Sequence, residues 1–565
     1  MGGKINTDPL DKLAGLILGH KKDIIAIYFY AILSGLLQLS VPIGIQAIIG
    51  FVLGASMVTS LYVLIFLVVL GVFLVGMMQI NQMKIIEKIQ QKIFTEYAFE
   101  FSEKIPRFDL LSSDNYYLPE KVNYFFDAIN VQKGLSKLLL DVPVASIQIL
   151  FGLLLLCLYH PIFIGFGFLL VSVLWLILKL SSRTGLSTSL EESNYKYSVV
   201  VWLEEMARVI KSFKFSQGTH LNLLKTDKSV TGYLLARTAH FKVLLLQYRT
   251  LVFFKVAITG IMLIVGTYLL LNQQLNIGEF IAAEIVILIV IAAVEKIIRS
   301  LNNVYDVVTG LEKLAVITES PLEKEGELNF DTDKDGGINI EMVDFSFGYI
   351  PNKPVLREVN LQIPARKTVC VFNNRGSGKS TFLKVLTGNY SDFRGSILLN
   401  KIPINNYVLS TLRSKIGIYL NQQDIFMGTV WENITMGRED LDANGMMDLA
   451  EKLGLSAFMN TLQEGFETQV HPAGKKLSST TIKSILLLRA FAGQPDLLLL
   501  EEPWEGLGAS VKDKMIGFIL NGSAYSTFII ASDDQDFAKK CDCQIQLTNG
   551  FATMISNEKY GSIEI

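Results

Sequence analysis

The chain has 565 residues, a formal net charge of −2, 50% hydrophobic and 18% charged residues, and a mean hydropathy of +0.39. That length allows two or more domains, the hydropathy exceeds that of an ordinary soluble protein, and the near-neutral charge gives no reason to expect a nucleic-acid partner. The four cysteines, Cys157, Cys370, Cys541 and Cys543, lack metal-ligand spacing, and Cys541-Asp542-Cys543 is too tight for a zinc pair.

Residues 1–22, MGGKINTDPLDKLAGLILGHKK, lack the short apolar core and small-residue cleavage site of a signal peptide, and Asn6 stands where a myristoylation signal has Ser or Thr. Residues 24–83 then run without a charged side chain, which is room for two membrane-spanning helices of about 20 residues each. Pro42, Gly44 and Gly54 fall near the end of the first span and in the turn. Residues 142–178 hold no Asp, Glu, Lys or Arg, and His160-Pro161 divides them into two further spans. A third apolar block, 251–294, is divided at Asn272-Gln273-Gln274. Six spans are therefore expected.

The short connections 54–60, 159–161 and 272–276 carry no lysine or arginine, whereas 84–141 and 181–242 are rich in both. Positive charge stays inside, so the expectation is a multi-pass protein of the cell inner membrane with both termini cytoplasmic. The long connections keep helical periodicity, as they would if the spans ran on as helices beyond the bilayer. Within the third block Glu279 sits beside the turn, in reach of water. Lys255 and Glu284 have two readings. They line a substrate path, since ionisable groups inside spans are costly and functional by default, or Lys255 snorkels while Glu284 pairs across the helix bundle.

After residue 314 the character changes. Residues 320–337, SPLEKEGELNFDTDKDGG, are polar and acidic, and from Ile338 short β-branched runs alternate with helical stretches. The expected fold is an α-helical six-span transmembrane domain over 1–315, a linker over 316–337, and an α/β domain over 338–565. That second domain contains VFNNRGSGKST, residues 371–381. Val369-Cys370-Val371-Phe372 reads as a buried strand and 380–387 as a helix, the context that a phosphate loop of the form G-x-x-x-x-G-K-[ST] requires. The backbone N–H groups of Gly376, Ser377, Gly378, Lys379 and Ser380 are placed to cradle phosphate, with Thr381 next to them. Lys379 would reach the β/γ oxygens and Ser380 would hold Mg²⁺.

Beyond the loop, the chain resembles the ATP-binding cassette exporters, half-transporters with six spans fused to one P-loop cassette. Residues 340–349, IEMVDFSFGY, are similar to the opening cassette strand and place Tyr349 where the family stacks an aromatic ring on adenine. Residues 416–434, IGIYLNQQDIFMGTVWENI, resemble the Q-loop region. Residues 497–503, LLLLEEP, look like the Walker B strand followed by the catalytic glutamate, here Glu502, the general base for water. Residues 275–280, LNIGEF, resemble the entry to the sixth span.

The departures are specific. Asn373 replaces the first glycine of the loop; asparagine is the residue other than glycine that best tolerates left-handed backbone. The Q-loop glutamine aligns with Asn421, one methylene shorter, with Gln422 adjacent. The Walker B aspartate is Glu501, which keeps the charge for Mg²⁺ and changes the reach. The signature L-S-G-G-Q reads Leu477-Ser478-Ser479-Thr480-Thr481, so side chains stand where glycines admit the partner's nucleotide. The D-loop reads Glu505-Gly506-Leu507-Gly508, and the switch histidine aligns with Ser532.

The resemblance implies ATP and Mg²⁺ as ligands, a bilayer, and a head-to-tail homodimer or heterodimer with another half-transporter, each ATP lying between one chain's Walker motifs and the other's signature. It also implies a periplasmic adaptor, as in the secretion branch, and no leader-peptidase activity. Three readings stay open. The chain is an exporter subunit with weak hydrolysis and a peptide or protein cargo, a pseudo-subunit that binds ATP without turnover and supports an active partner, or a membrane scaffold with a vestigial cassette. Residues 109–115 and 204–212 fall where coupling helices of the family dock, or are ordinary polar connectors.

Overall fold

A computed structural model describes residues 9–54, 59–113, 118–215, 219–331, 336–373, 376–421, 424–522 and 524–556. The chain divides into two compact units, 1–106 with 116–320, and 107–115 with 321–565.

The first unit is helical: α1 (Pro9–Gly19), α2 (Lys21–Gln38), α3 (Ser40–Leu53) and α4 (Thr59–Lys104). After the four-residue α5 (Leu110–Ser113), which belongs to the second unit, come α6 (Leu118–Val122), α7 (Phe126–Tyr159), α8 (Phe163–Arg208), α9 (Ile210–Phe215), α10 (Leu221–Leu271) and α11 (Ile277–Thr318). Six segments are long and apolar enough to cross a membrane, from Lys21–Leu53 to Ile277–Thr318, and their breaks fall at the turns expected from the sequence. Five of them are 42 residues or longer and so exceed the roughly 20 residues of a bilayer crossing. Helices α7 and α11 pack closely along their length. A Cβ added at Gly134 would lie 2.5 Å from Val307 Cγ2, and one at Gly310 would lie 2.7 Å from Val131 Cγ2. At both positions only glycine leaves room for the facing valine.

The charges of the last hairpin find partners that sequence alone did not indicate. Glu279 closes a capping box with Asn276, its N–H donating to Asn276 Oδ1 at 2.8 Å and its carboxylate accepting from Asn276 N at 2.8 Å. Lys255 pairs with Glu295, which also holds Arg299. Glu284 does not cross to a partner: its Oε2 is buried without a hydrogen bond among the described residues. In an antiparallel hairpin, residues at equal distance from the turn lie level. Lys255 is 17 residues before Asn272 and Glu295 is 19 after Asn276, whereas Glu284 is only 8 after it.

Among the described residues the second unit contains three sheets. Strands β1 (Ile340–Phe347) and β2 (Leu356–Ile363) are followed by β3 (Thr368–Phe372) and helix α12 (Lys379–Val385). Next come β4 (Arg394–Leu399), β5 (Ile402–Pro403), α13 (Leu409–Arg413), β6 (Ile416–Tyr419), β7 (Gly428–Thr429), α14 (Val430–Thr435) and α15 (Ala443–Lys452). The chain ends with β8 (Gln469–Val470), α16 (Ser479–Phe491), β9 (Leu497–Glu501), α17 (Ala509–Gly522), β10 (Thr527–Ala531), α18 (Gln535–Ala538), β11 (Cys543–Thr548) and β12 (Phe551–Ser556). The main sheet has the order β12-β11-β3-β10-β9-β6, parallel from β11 to β6. β9 is buried at every position, as a parallel strand covered on both faces must be.

The expected linker over 316–337 is not a free connector. α11 continues to Thr318, and the following stretch packs into the second unit. Glu323 takes both guanidinium nitrogens of Arg413 at 2.8 and 2.7 Å, Leu328 N donates to Asn406 O at 2.9 Å, and Phe330 is buried. Its polar composition masked one apolar anchor, Phe330, and the backbone bonds made by Leu328. Residues 107–115 join the same unit: Asp109 N donates to Pro321 O at 3.1 Å and Leu111 packs against the core around Phe382 and Leu399. The other stretch, 204–212, belongs to the helical unit.

Candidate nucleotide-binding site

Adjacent parallel strands β3, β10 and β9 deliver their carboxyl ends to one edge of the main sheet, the place where open α/β sheets bind ligands. Ala531 pairs with both Val371 and Glu501, so the loop after β3, the turn after β10 and the acids at the end of β9 lie side by side. The loop enters α12 through Gly378, at φ 99°, where a Cβ would sit 3.3 Å from Val355 Cγ1. Glycine meets both demands at once.

Asn373 has φ 158° and is tethered by its own amide, which donates to Leu547 O and to Thr548 Oγ1 at 3.1 Å. Lys379 Nζ donates to Asn373 O at 2.8 Å and forms an ion pair with Asp533. Ser377 Oγ, inside the loop, is buried with no partner among the described residues. A loop with an unsatisfied buried hydroxyl, an open backbone at Gly376 and a lysine fits a phosphate chain. Ser380 Oγ donates to Glu501 Oε1, and the other carboxylate oxygen of Glu501 accepts from Asn421 N at 2.9 Å. Glutamate's extra methylene therefore spans from the serine to the Q-loop backbone. Adjacent hydroxyl and carboxylate oxygens are the hard donors that Mg²⁺ takes, so these two residues fit the ion. Tyr349 OH lies 3.3 Å from Thr381 Oγ1, and its ring stands edge-on to Phe347 and Tyr390 at 5.3 and 5.8 Å, beside the phosphate loop.

Glu502 is the best-fixed residue of the site. It sits at φ 42°, a left-handed conformation that costs a non-glycine residue on the order of 1–3 kcal/mol and clusters at functional positions. Its N–H donates to Ala531 O at 2.9 Å. One carboxylate oxygen accepts from Ser532 Oγ at 2.9 Å and the other from Asp533 N at 3.0 Å. Burial raises its carboxyl above the usual glutamate range, while the Ser532 and Asp533 hydrogen bonds and the Lys379 charge pull it back. Ser532 is itself fully buried.

Among the signature residues, Ser478 is the N-cap of α16, accepting from Thr481 N at 3.0 Å. Its hydroxyl also lies 2.7 Å from Thr480 Oγ1 and 2.8 Å from Thr481 Oγ1. Ser479 and Thr480 are exposed, Leu477 is half-buried and Thr481 buried. Gln422 lies outside the described residues.

Two residues were missed by motif reading. Asp533, on Lys379, follows the switch position, and its acidic side chain was the available signal. Lys483, on α16, donates to the carbonyls of Glu502 and Glu505 and stands 5.4 Å from the centre of the Tyr419 ring; nothing in the sequence joins it to β9.

Residues 356–505 match the ABC transporter family. A probable ABC transporter ATP-binding/permease protein of Haemophilus influenzae is 28% identical over 291 residues, which are 51% of this chain and 52% of that one. A fatty acid ABC transporter ATP-binding/permease protein of Mycobacterium bovis is 32% identical over 37% of this chain and 31% of its own. The chain spans about half the length, or less, of the curated relatives it matches. Among solved structures, a bacterial Atm1-family ABC exporter with ATP bound superposes with a TM-score of 0.78 over 95% of both chains at 16% identity, which is a likeness of fold.

Proposed function

Because the chain carries an ABC transporter cassette behind a six-span half of exporter fold, we propose that it binds MgATP and couples weak hydrolysis to export of a substrate across the membrane. The observation that carries this reading is Glu502, fixed by Ser532 and Asp533 next to Lys379 and Ser380. In this reading Tyr349 offers a face to adenine, the loop 373–381 wraps the phosphates, and Lys379 neutralises the β/γ oxygens. Ser380 and Glu501 hold Mg²⁺, which supplies Lewis-acid stabilisation of charge on the phosphoryl oxygens. Glu502 accepts the proton of the attacking water. Burial raises its carboxyl above the usual glutamate range, in the direction of a better base, and Ser532 orients it by one hydrogen bond in place of the family's imidazole.

Turnover is slow because donors to the transferring phosphoryl group have been exchanged. Losing one preorganised donor costs roughly 10²- to 10³-fold in rate, and here the signature glycines and the switch histidine are both replaced. The working unit is a pair of half-transporters in a cell inner membrane, this chain with a second copy or with another half-transporter, with both termini cytoplasmic and, by the secretion-branch resemblance, a periplasmic adaptor. Peptide or protein cargo rests on that resemblance, whereas relatives named for fatty acids and multidrug efflux point to apolar small molecules. The class that stimulates ATP turnover decides between them. The pseudo-subunit alternative is favoured by one observation, the exposed side chains of Ser479 and Thr480 at the head of α16.

The test is MgATP turnover of the purified chain in lipid nanodiscs beside Glu502→Gln. Slow turnover, lower by at least about 10²-fold in the variant, supports the exporter reading. ATP trapping with equal turnover in both proteins leaves the pseudo-subunit, and no nucleotide binding leaves the scaffold.

A further inference from the structure

Asp533 occupies a position that the reaction as described does not use. Its carboxylate forms a direct ion pair with Lys379, whose side chain is 13% exposed against 50% for Asp533. The same residue's backbone N–H holds one oxygen of Glu502 at 3.0 Å, while its neighbour Ser532 holds the other at 2.9 Å. A turn of two residues thus grips both the lysine that meets the phosphates and the base that meets the water. The charges around it are unbalanced. Glu501, Glu502 and Asp533 face this edge, and of the nearby cations Lys483 is turned to the carbonyls of Glu502 and Glu505. Lys512 pairs with Asp534, and Lys539 lines the same cavity as Asp533 and Asp534.

Lysine offers a compact point charge with three donors, and Lys379 already commits two of them, to Asn373 O and to Asp533. A β/γ-phosphate arriving at Nζ meets the Asp533 carboxylate there, and two anions on one ammonium repel each other. We propose that Asp533 is an affinity-setting residue of the nucleotide site, a built-in anion that competes with the β/γ-phosphates of ATP for Lys379. Entry of a triphosphate displaces the Asp533 carboxylate from Lys379, while the Asp533 backbone N–H and the Ser532 hydroxyl keep Glu502 oriented. This inference rests on the reading that the cassette binds ATP.

The experiment measures equilibrium binding of ATP and of AMP, by competition with trinitrophenyl-ATP, to the full chain in nanodiscs. The variants are Asp533→Asn, Asp533→Ala and Asp533→Glu, with the thermal midpoint of each as the folding control. Asp533→Asn and Asp533→Ala are expected to bind ATP about two- to fivefold tighter, the scale of one partly exposed ion pair. Asp533→Glu should stay near the parent, and AMP, which lacks the β/γ-phosphates, should bind all four proteins alike. In a Lys379→Ala background the gain from Asp533→Asn should vanish, since the two residues act on one contact. Unchanged or weaker ATP binding by a folded Asp533→Asn protein, or an equal gain for AMP, overturns the competition while leaving ATP binding intact. No binding of any nucleotide by any of the proteins overturns both this inference and the reading beneath it.

Discussion

Glu501 and Glu502 are neighbours in sequence and opposites in environment. Glu501, at the end of a fully buried strand, spends both oxygens on Ser380 and the backbone of Asn421. Glu502 leaves the strand in a left-handed turn and is held by Ser532 and Asp533. This difference makes a pH prediction. Burial raises the Glu502 carboxyl, and the Ser532 hydroxyl, the Asp533 N–H and the Lys379 ammonium lower it, while the Asp533 carboxylate adds to the rise. A general base works only when deprotonated, so turnover is lost as pH falls through that raised value. The acid limb of the pH–rate profile should therefore lie above that of an ordinary glutamate. Ser532→Ala removes a stabilising hydrogen bond to the charged form and should move the limb to higher pH still; a limb that stays in place would show that Ser532 does not tune the base.

At the scale of elements, the stretch between β6 and α16 is held by one buried amide. Asn433 is fully buried; its Oδ1 accepts from Phe426 N at 2.9 Å, and its Nδ2 donates to Phe426 O and Thr429 O at 2.9 and 3.0 Å. Its carbonyl takes Arg489 Nε, on α16, at 2.6 Å. Helix α14 adds a reciprocal capping box between Thr429 and Glu432 at 3.0 and 2.7 Å. Asn433→Ala would leave several buried groups unpaired, at about 2–3 kcal/mol. The expected readout is a thermal transition of the cassette lower by about 5–10 °C, with the helical unit unaffected. The sequence showed Glu432-Asn433-Ile434 as a motif, but the reason for the asparagine became visible only when its three backbone partners were placed around it.

For the whole molecule, the decisive feature is the asymmetry of its connections. The turn between α10 and α11 is short and uncharged, whereas the segment around α9 carries Lys211 and Lys214. In the proposed orientation, which follows the positive-inside rule, the first lies outside and the second in the cytoplasm. Cysteines placed at the exposed positions Gln273 and Lys211, with Cys157 replaced by serine, test this directly. An impermeant maleimide should label Gln273→Cys in intact cells and Lys211→Cys only after lysis, and the reverse pattern would invert the proposed orientation.

The six spans and the strand–loop–helix around Lys379 were legible in the sequence because both signals are local: an apolar run of fixed length, and glycines, lysine and serine at fixed spacing. The strands β3 and β9 were legible too, as short apolar runs that the structure buries. What the sequence by itself did not determine was every pairing between distant residues. Lys255 meets Glu295 and not Glu284 because the hairpin sets their level. Residues 107–115 join the cassette's unit through Phe108, Asp109 and Leu111, whose partners lie two hundred residues or more away. Lys379 is held by Asp533, 154 residues downstream, and Glu502 by Lys483 from another helix. Local pattern fixes which elements form, because it acts through neighbouring residues; the charge balance of the site was decided by tertiary structure, because only the sheet order β3-β10-β9 brings those ends together.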